Sequence, residues 1–449
     1  MTGHRIGGGY GGGMADAVMV SSSFLPGRGG IESYLAELCE ALAPRLAVLA
    51  AAERDGKQLP AELTYPTHPF PGRLLWPGSK AARATIKAAR IENTDKILFG
   101  TPWPLVLMGP RLKTRGLAYA VIVHGAEMLV PSKIPGVRRK LARALAGAEL
   151  LFAVSEYTAS KLDDFISACG HSVPRIELLR ARVDLGRFHP GAAESGGATE
   201  SGSSPTRAGE RSEAGPGAGE RSEAGPGVPG AGERSEAGPG VPGAGERSEA
   251  GGGVRARYGI EAEDRVVLCF GRLVERKGVH RMIDAMPRIA AEVPGATLVV
   301  AGTGPEMSKL RTRAKKVGAR VVFTGRVADE DAAAIYATAE VFALPVVDRW
   351  FGLEVEGLGV VLLEASACGV PCVTGRSGGT AEAVLDGETG YVIDATDQAA
   401  LIDATVRLLK DRALATKMGA AGRRHVEREF SDRALPQALL EWLAPREAA

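Results

Sequence analysis

A chain of 449 residues is long enough for two medium domains with cores of their own. Its formal net charge of +2 gives no global attraction to nucleic acid, so no nucleic-acid partner is expected. The five cysteines, at positions 39, 169, 269, 368 and 372, form no CxxC pair and, with seven histidines, offer no zinc-ligand spacing, which excludes a disulfide scaffold and a zinc module.

No apolar run approaches the roughly 20 residues needed to span a bilayer. Residues 1–13 are glycine-rich and poor in apolar side chains, so they are expected to be a disordered extension rather than a signal peptide. A first α/β domain is expected over residues 14–190. It opens with an apolar strand at 17–21, a loop containing Gly29 and Gly30, and a helix over 31–42, an order that makes a phosphate-type cradle without the GxGxxG dinucleotide fingerprint. Further strands at 46–50, 96–99, 118–123 and 150–154 alternate with helical patterns, which predicts a doubly wound parallel sheet. Ligands of such sheets bind beyond the carboxyl ends of the strands, and His124 stands at one such end. Two stretches carry cations beside an apolar stripe: Lys80, Arg83, Lys87 and Arg90, then Lys133, Arg138, Arg139, Lys140 and Arg143. An anionic lipid surface and a plain solvated helix face both fit that pattern.

Residues 191–253 break the alternation. Ala-Gly-Glu-Arg-Ser-Glu-Ala-Gly recurs from Ala208, Ala218, Ala231 and Ala244, separated by Pro-Gly units and without apolar positions, so a disordered repeat insertion is expected. A second α/β domain is expected over 254–425. Its strand at 266–270 runs into Gly271-Arg272-Leu273-Val274-Glu275-Arg276-Lys277-Gly278, where Arg272 and Lys277 offer a guanidinium fork and an ammonium to a diphosphate. Strands at 296–301 and 320–324 follow, the latter ending at Gly325, and one at 341–345 leads to Glu356-Gly357-Leu358-Gly359-Val360. A helix then carries Glu364 about one turn inside, before Gly369 and Pro371 stop it and a buried strand follows at 370–374. The unpaired N–H groups of such a helix start suit an anion, and the two carboxylates suit hydroxyl groups. A terminal helical stretch over 420–443 is expected, with residues 426–449 crossing back to the first domain.

The Arg272/Lys277 loop together with the Glu356/Glu364 pair resembles the retaining family-4 glycosyltransferases, closely over residues 264–430 and more loosely over 15–190. The resemblance implies a GT-B architecture: two Rossmann-like, doubly wound parallel-sheet domains facing an interdomain cleft. Within that family, residues 355–371 look most like bacterial GDP-mannose-dependent phosphatidylinositol mannoside mannosyltransferases. By this resemblance Gly29 and Gly30 approach the donor diphosphate, and Arg272 and Lys277 neutralise it as it leaves. Glu356 holds the transferred sugar, Glu364 the ribose hydroxyls, and His124 orients sugar or acceptor. Gly271, Gly325, Gly357, Leu358, Gly359 and Val360 belong to the donor site. Relatives usually have a glycine where Arg182 stands, and many of the mannosyltransferase type have a second histidine at Ala126.

No carboxylate nucleophile is implied. The family attacks from the front face, with a donor phosphate oxygen taking the acceptor proton, and neither cofactor nor metal is expected. The expected partners are a nucleotide sugar, GDP-mannose first, and a lipid or polyol acceptor, in the cytoplasm or peripherally on the inner face of the plasma membrane. Two alternatives remain open: a UDP-sugar-dependent transferase in other glycolipid, polysaccharide or small-molecule glycoside synthesis, and a non-catalytic sugar-nucleotide-binding module.

Overall fold

Long apolar runs that are buried on both faces need helices above and below them, and the computed structural model supplies those layers twice. It describes residues 15–26, 30–54, 56–60, 62–72, 74–125, 131–193, 253–349, 354–431 and 435–444. Residues 1–13, Gly29, Ala126 and the four repeats lie outside them.

The first sheet is built from β1 (Ala17–Val20), β2 (Leu46–Ala51), β5 (Thr67–Phe70), β6 (Lys96–Phe99), β7 (Ala118–Val123), β8 (Leu150–Ala153) and β9 (Ile176–Leu178), with a small hairpin of β3 (Glu53–Arg54) and β4 (Lys57–Gln58) beside it. Its order is β5-β2-β1-β6-β7-β8-β9 and the pairings are parallel. The second sheet takes β10 (Arg265–Phe270), β11 (Ala296–Ala301), β12 (Val321–Gly325), β13 (Val341–Leu344), β14 (Cys372–Gly375) and β15 (Gly390–Ile393) in the order β12-β11-β10-β13-β14-β15, again parallel. Each sheet therefore reverses its winding once, between β1 and β6 and between β10 and β13. The crevice beyond the strand ends at such a reversal is where open α/β sheets take ligands.

Helices Ser79–Ile91, Pro135–Ala146 and Glu156–Ser167 bury their apolar stripes on one face of the first sheet. The opposite face packs on helix Gly30–Ala41 and belongs to a core that continues into the second sheet through Val266, Phe342 and Leu362. Helices Val279–Glu292, Met307–Val317 and Gln398–Lys410 close the far face of that second sheet.

The terminal helical stretch differs from expectation. It is two helices, Arg412–Glu429 and Gln437–Leu443, and Pro436, which has no N–H to donate, stands just before the second. The shorter helix reaches the first sheet: Trp442 Nε1 donates to Glu149 Oε2 at 3.1 Å and Lys96 Nζ donates to the Ala444 carbonyl. The outgoing and returning passages of the chain between the sheets are tied together. Val183 N–H donates to Phe430 O at 2.8 Å, and Arg423 Nη1 donates to Phe188 O and Ala367 O at 2.6 and 2.7 Å.

Candidate active site

At the reversal of the second sheet, β10 ends at Phe270 and the chain turns through Gly271 to Lys277 before helix Val279–Glu292 begins. Gly278 starts that helix with φ +70°, and a Cβ there would lie 1.9 Å from Pro345 O, so both the turn and the close approach of β13 require glycine. This packing turns the cations of the loop in different ways. Arg272 is exposed and has no ion pair among the described residues. Lys277 is buried, and its Nζ lies 2.9 Å from Glu356 Oε2.

Glu356 is itself buried and receives a second cation, Arg276, through Nη1. Arg276 also reaches Glu354 at 3.6 Å, and Arg349 joins Glu354 to Glu275. Burial pushes the Glu356 carboxyl up, but Lys277 and Arg276 together outweigh it and hold its pKa below the usual carboxylate value. An ionised carboxylate is thus kept ready in a site from which water is largely removed. Its backbone is fixed too: the Glu356 N–H donates to Ser377 Oγ at 3.0 Å, and Ser377 Oγ donates to Asp348.

From Glu356 the chain passes through Gly357 and buried Leu358 to Gly359, the left-handed cap of helix Val360–Ala367. Glu364, half-buried on that helix, accepts from the hydroxyl of Tyr336 at 2.6 Å. Desolvation raises its pKa, opposed by that hydrogen bond and by the charges of Arg187 and Lys277. Across the cleft, desolvation and the charges of Glu364 and Glu40 push Glu37 up to about 7, against Arg182 and Arg187. The cleft is lined by carboxyls that differ in readiness to ionise, which suits hydrogen bonding to polyols.

The first sheet brings His124 to the same cleft. It is buried at the end of β7, and its Nε2 lies 2.9 Å from Gly100 O. A carbonyl only accepts, so Nε2 carries a proton. Its backbone oxygen would be 2.7 Å from a Cβ on Gly357. Around this contact Ser155 Oγ donates to Gly357 O at 3.2 Å, and Glu382 accepts from the N–H groups of Glu156 and Tyr157 at 2.8 and 3.0 Å. That carboxylate from the second domain sits on the positive N-terminus of helix Glu156–Ser167 in the first.

Lys277, Glu356, Gly357 and His124 are thus brought together, with Arg272 and Glu364 on the neighbouring strand-end loop and helix. Gly30 is the exposed first residue of helix Gly30–Ala41, and Gly325 closes β12 with open space beside its Cα. Val360 is half-buried at the start of its helix. Sequence reasoning passed over Arg276, although it adjoins Lys277, and over Tyr336, Glu37 and Glu382, whose roles arise only from folding. The Asp-x-Asp triplet Asp329-Glu330-Asp331 is not a free pair: Asp331 accepts from Arg257 and from Tyr258 at 2.8 Å. Among the described residues no group of three or more His, Cys, Asp or Glu side chains could hold a metal ion.

The family model described as "Glycosyl transferases group 1" matches residues 254–425, and "Glycosyltransferase Family 4" matches residues 28–171. A GDP-mannose-dependent alpha-(1-6)-phosphatidylinositol monomannoside mannosyltransferase of Mycolicibacterium smegmatis is 34% identical over 442 residues, covering 96% of this chain and 99% of that protein. A GDP-mannose-dependent monoacylated alpha-(1-6)-phosphatidylinositol monomannoside mannosyltransferase of Corynebacterium glutamicum is 32% identical over 418 residues, covering 92% and 94%. Among solved structures, Anabaena HepE in complex with UDP superposes with a TM-score of 0.69 at 18% identity over 95% of this chain and 99% of that one. Sucrose-phosphate synthase from Thermosynechococcus elongatus gives 0.67 at 18% identity, over 95% and 97%. These likenesses show the GT-B fold. With both family models matched in order and full-length relatives above 30% identity, the chain belongs to the group 1 and family 4 glycosyltransferases, the family that contains these mannosyltransferases.

Proposed function

We propose that this glycosyltransferase moves mannose from GDP-mannose to a phosphatidylinositol mannoside, with retention at the anomeric carbon. The observation that carries the reading is the cleft itself: ionised Glu356 is held by Lys277, from the same loop as exposed Arg272, which has no ion pair among the described residues, in a chain about one-third identical to enzymes named for that donor and acceptor. The diphosphate lies against Arg272 and Lys277, the ribose hydroxyls on Glu364, and the mannose hydroxyls on Glu356, where they share the carboxylate with Arg276. His124 orients the sugar or the acceptor. The C1–O bond to the diphosphate breaks with its electron pair passing to the β-phosphate, the acceptor oxygen bonds to C1 on the same face, and its proton goes to a departing phosphate oxygen. Chain side chains act by position and charge, and the reaction is proposed to need no metal.

The test is release of GDP from GDP-mannose, with chelator present, in the presence and absence of phosphatidylinositol mannoside. Lipid-dependent release with a mannosylated product of retained configuration supports the proposal. Release only from a UDP-sugar overturns the donor assignment.

Such an acceptor resides in an anionic bilayer, and the first domain has a face that fits one. On helices Ser79–Ile91 and Pro135–Ala146 there are no acidic residues, while Lys80, Arg83, Lys87, Arg90, Arg139, Lys140 and Arg143 are exposed. The exposed large apolar side chains among the described residues, Leu74, Trp76, Ile91 and Ile134, lie on or beside these helices. No helix among the described residues is long and apolar enough to cross a membrane, so contact of this kind is peripheral in the proposal. Each cation near such a surface contributes on the order of 1 kcal/mol. Changing Lys80, Arg83, Lys87 and Arg90 together to glutamine is therefore expected to lower co-flotation with phosphatidylinositol vesicles by well over tenfold at low salt, while leaving binding to neutral vesicles unchanged.

A further inference from the structure

We infer that Tyr34 is a positioning residue for sugar transfer, the side chain that fixes the imidazole of His124 in the cleft. The inference rests on the role proposed above for His124. Tyr34 lies one turn into helix Gly30–Ala41, on the side of the helix that begins at Gly30, and it is buried. Its ring meets the His124 ring at right angles, with centroids 5.2 Å apart and an interplanar angle of 88°. This edge-to-face arrangement is the favoured geometry of an aromatic pair. The hydroxyl donates to Leu179 O at 2.9 Å, 145 residues away in sequence. Leu179 is in turn fastened to the end of β8 through its N–H to Ala153 O at 2.9 Å.

Three cleft elements therefore meet at one side chain: the helix of the glycine loop, the end of β7 that carries His124, and the segment leaving β9. With Nε2 of His124 held by Gly100 O and the ring held by Tyr34, the imidazole is restrained both by a hydrogen bond in its plane and by an aromatic wall. Burial keeps the phenol protonated, with Arg182 opposing, so the hydroxyl stays a donor. Removing the wall takes away the restraint on the side of the ring that Tyr34 now blocks, so the imidazole gains orientations it lacks here. A misplaced group of this sort costs turnover more than donor binding.

The experiment compares Tyr34→Phe, Tyr34→Leu, His124→Ala and the double variant Tyr34→Leu/His124→Ala by initial rates of nucleotide release and by thermal unfolding. Tyr34→Leu is expected to lower kcat roughly fivefold to tenfold, the size of an aromatic pair interaction, with donor KM unchanged. Tyr34→Phe, which keeps the ring, is expected to recover most of that loss. In the His124→Ala background Tyr34→Leu should have little further effect on kcat, since there is no imidazole left to hold. An equal proportional loss in both backgrounds would mean that Tyr34 only supports the fold, and overturns the inference. Full activity of Tyr34→Leu beside a crippled His124→Ala overturns it as well while leaving the His124 role intact. Full activity of His124→Ala instead removes that role, and this inference with it. If Tyr34→Leu unfolds before the assay temperature, Tyr34→Met, closer in volume, takes its place in the same cycle.

Discussion

Replacing Lys277 by alanine is expected to lower kcat by roughly 10² to 10³-fold, the loss typical when one preorganised donor to developing negative charge is removed. The structure separates this effect from unfolding. Lys277 is buried against Glu356, so deleting it could leave a buried carboxylate uncompensated, which is normally among the more damaging changes to a fold. Here Arg276 remains on the same carboxylate, and the Glu356 backbone stays fastened to Ser377. The charge therefore keeps a partner, and thermal unfolding should shift far less than activity. Initial-rate measurement of nucleotide release alongside circular dichroism at rising temperature reads both quantities. A variant that keeps turnover within a few fold would show that the ammonium belongs to the fold and not to the chemistry. The double change Lys277→Ala and Arg276→Ala, by contrast, strips both cations from Glu356 and is expected to melt early.

A second large effect is expected from a single methyl group. Gly357 has no positive φ, so alanine suits its backbone, yet the new Cβ would sit 2.7 Å from His124 O. The obstruction lies between the two sheets and in neither of their cores. Gly357→Ala is thus expected to leave secondary structure intact while holding the Glu356 loop and the His124 loop apart. Displacement of reacting groups by about 1 Å can cost about 10²-fold, so kcat/KM should fall by that order. Small-angle scattering would detect the accompanying opening as a larger radius of gyration. Normal activity in this variant would mean that the approach of the two loops is incidental to turnover. Gly278→Ala offers the contrast: its Cβ would collide with Pro345 O inside one domain and its φ is left-handed, so loss of stability is expected there.

Central strands were legible because they are unbroken apolar runs buried on both faces, as in β7 and β11, where each residue is buried. Besides the two-residue strands β3 and β4 of the small hairpin, the strands that escaped notice, β5, β9 and β15, all lie at sheet edges. β5 and β9 have no fully buried residue and β15 alternates buried with half-buried ones, so none reads as an unbroken buried run, and Pro69 inside β5 disguises a strand that needs few donors on its open side. The site divides in a similar way. Arg272, Lys277, Glu356 and Glu364 stand in short glycine-marked motifs, so local sequence singles them out as candidates. Arg276 lies inside the motif, and only folding shows which way its side chain turns, towards Glu356. Tyr34, Tyr336, Glu37 and Glu382 act through partners far along the chain, and no periodicity announces such pairs. The expectation that glycines at 357 and 359 admit a ligand is also refined: at Gly357 the approaching group in this structure is the backbone of His124.

The hydrogen bond from Val183 to Phe430 joins the chain's outward passage to its return. Two separate tethers would let one lobe wobble and twist against the other like a ball in a socket. Two tethers clasped side by side behave as the pin of a door, with swing allowed and twist resisted. Arg423, gripping Phe188 and Ala367 together, strengthens the pin from the second lobe. Any opening of the lobes is therefore expected to follow a single arc, so that each closure returns Glu356 to the same place against the His124 loop without a search.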